Sequence, residues 1–282
     1  MRRLLLVLIA LLAVMSCGHN DNRLAARYLD MAAKCFEDGD YVTAKLYIDS
    51  VRTEYPNAFE VRKKGIRLLQ KVEIAEADRT IAYQDSALNV LREKFEKVRD
   101  SFVFQKDEQY QDLGLFTVSS QDIEKNIGRN YLRGQVDEKG RLTIVSTYCG
   151  SSYIHHRSIR ISPSSDVDGG YVDTPVSDDF YEFKDLGTFY EKCNFTGSTA
   201  DAIAGYIALH QEENLTVTIS GDRSFSYRMQ ASDSKALANI HSLYLLLSSI
   251  DEAKTLRDEA ERRKKFVEMN IAKSDSAAAA GR

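Results

Sequence analysis

Between Ile74 and Phe102 the chain repeats with a period of seven. Ile74, Ile81, Leu88, Phe95 and Phe102 form one row, and Ala77, Gln84, Leu91 and Val98 sit three residues after the first four. An a/d seam kept over about four heptads needs a helix that packs lengthwise against another helix. The positions between carry charges such as Asp78, Arg79, Arg92, Glu93 and Lys97, which suit a solvated outer face. The spacing predicts one long helix over 59–102, whose seam alone runs roughly 40 Å.

A second long helix is predicted over 232–273, with Ser232-Asp233-Ser234 available as its cap. Leu237, Ile240, Leu243, Tyr244, Leu247 and Ile250 form its apolar stripe. Beyond Asp251 it is mainly charged until Phe266, Val267 and Met269, and 274–282 reads as a frayed tail. If the segment between the two helices starts and ends at one place, they run antiparallel, with Leu237–Ile250 on Leu88–Phe102. The other arrangement pairs them between protomers. Oligomeric state stays open at this point.

The N-terminus is the most specific signal. Arg2 and Arg3 precede an unbroken apolar run from Leu4 to Val14, and Met15, Ser16 and Cys17 follow. The run is too short for a transmembrane helix, which takes about 20 residues, and fits a secretory signal. Val14-Met15-Ser16-Cys17 resembles the lipobox of bacterial lipoproteins. That resemblance implies cleavage after residue 16, lipidation of Cys17 (a diacylglyceryl thioether and an acylated amine, palmitate among the chains) and a tether over 17–23. Gly18, rather than Asp, follows the cysteine, which in such proteins favours the outer membrane. The expected location is the cell envelope, facing the periplasm, with the membrane as one partner. A net charge of −4 argues against a general nucleic-acid binder.

Residues 24–58 read as a helical hairpin. Leu24, Tyr28, Met31, Ala32 and Cys35 have helical spacing, Asp38-Gly39-Asp40 breaks the first helix, and Pro56 ends the second. Tyr28, Ala32, Gly39-Asp40-Tyr41, Ala44, Ile48, Val51 and Pro56 resemble the tetratricopeptide (TPR) pattern over one repeat of 34 residues. No second repeat follows, because Asp78 and Val90 stand where a small residue and a proline would be needed. A lone repeat leaves faces to cover, so the following helix is expected to cap it.

From residue 103 to 231 the period changes to that of strands. Strands are expected at 115–118, 130–136, 141–148, 157–162, 180–183, 188–193, 215–219 and 224–229, with Asp137-Glu138-Lys139-Gly140 and Gly221-Asp222 as hairpin turns. A helical turn is expected at 121–127, a long surface loop at 163–179, and a helix at 199–211 with Ser198 or Thr199 as cap. This segment reads as an α+β domain with a mostly antiparallel sheet. Cys149 and Cys193 both fall in it and form a possible disulfide, since a periplasm permits one. Cys35 reads as a buried thiol.

Chemical constellations are sparse. His155-His156 are adjacent, so on a strand they point to opposite faces and do not share a metal. Asp166, Asp168, Asp173, Asp178 and Asp179 crowd the long loop, but the twelfth position counted from Asp166 is Ser177, not the bidentate Glu of a calcium loop. Cys149-Gly150-Ser151-Ser152 lies near the histidines without any nucleophile signature. Arg262-Arg263-Lys264-Lys265 is interleaved with Glu259, Glu261 and Glu268 and reads as a solvated helix face. No catalytic residue, metal or cofactor is therefore expected.

The resulting expectation is an α+β protein: signal peptide 1–16, lipidated tether 17–23, TPR-like hairpin 24–58, first stalk helix 59–102, sheet domain 103–231, second stalk helix 232–273 and tail 274–282. The two stalk helices are expected to form an antiparallel coiled coil. The functional expectation is a non-enzymatic envelope scaffold with a protein partner. The alternatives are a small-molecule or glycan binder using Tyr148, Tyr153, Tyr171, Tyr181 or Tyr190, and a hydrolase using Cys149 or His155.

Overall fold

A computed structural model describes residues 21–164 and 170–280. The signal and lipidation segment around Cys17, and Asp166 and Asp168, lie outside the described residues. The protein is mixed α+β, with several helices and two antiparallel sheets. It divides into two compact units: one holds 21–86 and 254–280, the other Ala87–Ala253.

In the first unit, helix α1 (21–37) and helix α2 (Tyr41–Glu54) form a hairpin, and helix α3 (Phe59–Val98) begins against it. Gly39 makes the turn at φ +77°, a left-handed conformation that glycine adopts without a Cβ clash. The amide of Asp40 closes α1 by donating to the Cys35 carbonyl at 2.8 Å. The Asp40 carboxylate then caps α2 by accepting from the Thr43 amide at 3.1 Å. Ala32 and Ala44 are wholly buried, which lets the helices approach closely around Ile48 and Val72. Tyr28 packs edge-on against Tyr47 at 6.0 Å and lies 5.7 Å from Tyr55. Lys45 reaches from α2 to Glu76 of α3 at 2.7 Å. Helix α3 thus packs against the α1–α2 pair through Leu68, Leu69 and Val72.

The same unit contains the C-terminal part of helix α5 (Ala231–Ala280). Arg257 bonds Asp85 at 2.6 Å, Lys264 bonds Asp78 at 2.7 Å, and Arg67 bonds Asp275. Partner numbers fall on one helix as they rise on the other, so these stretches of α3 and α5 run antiparallel. The inward row of α5 is Ala253, Arg257, Ala260, Lys264 and Val267, spaced alternately by four and three. Of the three apolar residues beyond the charged stretch, Val267 is buried and Phe266 and Met269 are exposed. The helix continues through the segment expected to fray, as far as Ala280.

In the second unit α3 ends at Val98 rather than at 102. A 3-10 turn, Arg99–Ser101, leads to an unforeseen exposed strand, β1 (Val103–Gln105). Then come β2 (Leu115–Thr117), 3-10 turns at Ser119–Gln121 and Glu124–Asn126, β3 (Tyr131–Asp137) and β4 (Leu142–Gly150). Next are β5 (Ser158–Pro163) and β6 (Val172–Asp173), the latter inside the expected loop, then β7 (Phe180–Asp185) and β8 (Thr188–Thr196). Helix α4 (Gly197–Leu209), β9 (Leu215–Ser220) and β10 (Ser224–Arg228) precede α5. Sheet A has the order β1-β2-β3-β4-β8-β7, and sheet B the order β10-β9-β5-β6. Neither expected helix cap is used as foreseen. Thr196 precedes α4 without a side-chain cap bond, while Asp233 is buried in the first turn of α5 and pairs with Arg129 at 2.7 Å.

One core joins both sheets to α4, to the N-terminal half of α5 and to the Leu88, Leu91 and Phe95 face of α3. Leu132, Ile144, Cys193 and Phe195 of sheet A point into it, as do Ile159, Ile161, Leu215, Val217 and Ile219 of sheet B. The inner strands β8 and β9 alternate between this face and the outer one, as a period of two requires. Gly134 lets β3 lie against α5, for a Cβ there would come 2.9 Å from Ile240 Cγ2. Only two residue pairs join β2 to β3. Beyond them the Gln121 side chain replaces the missing strand, donating to Leu132 O at 2.9 Å and accepting from Gly134 N at 3.0 Å.

Candidate functional site

Glu191 is the pivot of the second unit. It lies on β8 at the parity of Phe189, Cys193 and Phe195, so it points into the core, and its side chain is 2% exposed. A buried carboxylate must be hydrogen-bonded. Glu191 Oε1 accepts from the backbone amides of Ile154 at 2.5 Å and His155 at 3.0 Å. Oε2 accepts from the amide of His156 at 2.8 Å and from its ring Nδ1 at 2.9 Å. Burial pushes this carboxyl upward, but the donors outweigh it and hold it below its ordinary value. Burial also lowers His156, against the pull of Glu191. The lowered pKa favours the neutral ring, and a neutral ring facing a carboxylate donates through Nδ1. Its Nε2 and the Ser146 hydroxyl are buried without a hydrogen-bond partner among the described residues.

This anchorage sets the backbone of 154–156. His155 adopts φ +53°, unusual for a residue with a side chain. Gly221 lies so close that a Cβ on it would come 2.0 Å from the His155 carbonyl oxygen. The turned His155 ring stacks on Tyr153 at 5.5 Å and meets Glu182 of β7 through Nδ1 at 2.8 Å. That hydrogen bond holds its pKa above the ordinary value. Beside it lies an open cleft of about 640 Å³ where the edge of sheet A meets sheet B. Its walls include Arg157, Glu182, Asp222, Ser158 and Ser220. The Arg157 guanidinium lies 3.9 Å over the Phe180 ring.

The other candidate is in the first unit. A groove of about 370 Å³ runs between α2 and α3. Ile48, Val51, Ile66 and Leu69 give it apolar walls, with Lys45 and Arg52 alongside. Ile66 is 58% exposed. Arg62 also lines it, donating through Nη1 to Pro56 O at 2.8 Å, while its buried Nε has no hydrogen-bond partner among the described residues.

The residues singled out in the sequence are mostly dispersed. Cys149 and Cys193 are free thiols, not a disulfide. The register explains why: Cys149 faces Tyr190 and Cys193 faces Ser146, three rungs apart, so the two side chains leave opposite faces of sheet A. The same parity separates Cys149 from Glu191 and from the histidine bound to it, so no Cys–His pair forms. Cys35 is half-buried. Asp173 is bound by Arg160 at 2.5 and 2.6 Å, and Asp178 lies 3.5 Å from Arg157. Among the described residues no group of three or more His, Cys, Asp or Glu could hold a metal. The five tyrosines do not converge. Tyr148 is buried, Tyr153 stacks on His155, Tyr181 and Tyr190 lie on the outer face of sheet A, and Tyr171 flanks sheet B.

Glu191 was missed by sequence reasoning, although its signal was present. In Phe189-Tyr-Glu-Lys-Cys-Asn-Phe195 a lone anion occupies an inward position among apolar residues. No known protein family and no characterised protein matches the chain in sequence. Among the described residues, no helix is long and apolar enough to cross a membrane.

Proposed function

We propose that the chain is a lipid-anchored, non-enzymatic scaffold of the bacterial cell envelope that binds a protein partner through its N-terminal hairpin. The observation that carries this reading is the groove between α2 and α3. It offers exposed apolar surface beside a buried arginine nitrogen that has no acceptor among the described residues, the combination an apolar segment with a carbonyl or carboxylate would satisfy. The burial of Ala32, Ala44, Ile48 and Val51 supports likeness to a TPR hairpin. The alternating rows of α3 and α5 support coiled-coil-like pairing. The leader over 1–16, directly ahead of Cys17, supports the anchor, which two or three acyl chains would make stable.

Two measurements test this. The Cys17→Ser protein should leave the membrane fraction, and retention there would overturn the anchor. Affinity capture from detergent-solubilised membranes should recover a discrete protein, and Ile66→Asp should lose it. Recovery of this chain alone, or capture indifferent to Ile66→Asp, would overturn the groove as the binding surface.

A further inference from the structure

We propose that the cleft beside His155, with the outer face of sheet B onto which it opens, is a binding site for a neutral saccharide. This site belongs to the second unit and is independent of the hairpin reading.

The outer face carries the argument. Strand register sets three rows across β5, β9 and β10: Ser158, Ser220 and Ser224; Arg160, Thr218 and Ser226; Ser162, Thr216 and Arg228. Seven of these nine positions bear a hydroxyl. A hydroxyl both donates and accepts, which matches a ligand made of hydroxyls and favours neither a cation nor an anion. Several pair with one another across strands, Thr218 with Ser226 at 2.8 Å and Ser220 with Ser224 at 3.2 Å. A ligand hydroxyl can enter such pairs by rotating a proton. Ser158 and Ser220 belong both to this face and to the cleft, so the two are continuous.

The charges fit the same class. Arg160 is held by Asp173, Arg157 faces Asp178, and His155 is held by Glu182. Each of these groups already has a carboxylate, so among the described residues the cleft itself presents no unopposed positive charge of the kind that a phosphate or carboxylate ligand requires. Arg228, at the far end of the third row, has no ion-pair partner among the described residues and is the reason for an anionic control in the test. Asp222, and the Glu182 oxygen that His155 does not use, instead bring carboxylate acceptors to the cleft, suited to the paired hydroxyls of a sugar. The Tyr171 ring, 60% exposed, has the Arg160 guanidinium over one face at 4.5 Å beside the middle row, and its remaining surface offers an apolar patch to a pyranose. A volume of about 640 Å³ falls in the range of small-molecule pockets. The Glu191 anchorage prearranges the loop, so little ordering accompanies binding.

The test is calorimetric titration of the intact protein with maltose, cellobiose and N,N′-diacetylchitobiose, with inorganic phosphate as the anionic control. At least one disaccharide should bind saturably below about 10 mM, while phosphate should not. Glu182→Gln and Tyr171→Ala should each weaken that binding by roughly tenfold, the second without lowering the melting temperature of the free protein. Tyr171 is exposed, so its variant separates binding from folding. The proposal fails if none of the three disaccharides binds, if phosphate binds as well as the sugar does, or if neither variant weakens the sugar.

Discussion

Glu191→Ala is the most exacting perturbation of the second unit. The carboxylate serves four donors: the amides of Ile154, His155 and His156, and the His156 ring. Removing it leaves donors without an acceptor in a site where Ile154 and His156 are 4% and 1% exposed. Each buried, unsatisfied donor costs about 1–3 kcal/mol, but the four are not independent and water can enter the shortened site. The expected net loss is therefore about 3–5 kcal/mol, comparable with breaking a buried ion pair by deleting one partner. Glu191→Gln keeps the shape and one acceptor oxygen, but points an NH₂ group at the donors of His156. It should cost less than the alanine variant. Urea unfolding followed by tyrosine fluorescence measures the loss, since the chain has 15 Tyr and no Trp. Hydrogen exchange should show the amides of 154–156 as the most deprotected. A loss below about 1 kcal/mol for Glu191→Ala, with exchange at those amides unchanged, would refute the claim that this carboxylate holds the loop.

Acidification should destabilise the second unit in two stages. His156 is held below 6.5 in the folded state, so the unfolded chain takes up a proton first and stability falls as pH drops below about 6.5. Glu191 is held below 4.5, so its contribution is complete above that value and is lost as pH falls through its lower folded pKa. His155 is shifted upward and acts in the opposite sense, losing its contribution as pH rises past 6.5, but its exposure to solvent screens the effect. Melting temperature against pH, compared with a His156→Gln variant whose first stage is missing, checks the order. Gly140→Ala should cost about 2–4 kcal/mol in thermal unfolding, because φ is +71° and the new Cβ would come 2.2 Å from the Ser248 backbone nitrogen. Cys193, wholly buried with its thiol pushed up to about 11 by burial, should resist thiol reagents until the protein unfolds. Mass spectrometry after mild oxidation should find no Cys149–Cys193 bond within the native chain.

The helical part was largely legible because it is built from local signals. Gly39-Asp40 stops one helix and starts the next within two residues, and the α3 seam repeats without a break from Ile74 to Phe95. The matching row of α5 was hidden. Arg257 and Lys264 occupy inward positions, where their stems pack and their charged ends reach Asp85 and Asp78. A search for apolar residues passes over such positions and stops at Phe266, which faces solvent. Strand alternation located most of the sheet residues, but β1 is exposed along its length and β6 has two residues, so neither had a pattern to read. The pairing of β4 with β8, and the division into two sheets, depend on contacts far apart in sequence. The cleft depends on them too. His155 and Glu182 are 27 residues apart, and only the register of β7 on β8 and the hold of Glu191 on 154–156 bring them together.

Gln121 has a consequence for solubility as well as shape. An open strand edge is a template on which another chain can polymerise, and proteins guard such edges with charge, bulges or cover. At Leu132 and Gly134 the guard is one amide side chain, 1% exposed, occupying the acceptor and donor that an invading strand would need. Replacing it with leucine would leave the fold's layers in place yet uncover a short adhesive seam. Damage at this position should therefore show itself first as concentration-dependent clumping during refolding, before any loss of helix content.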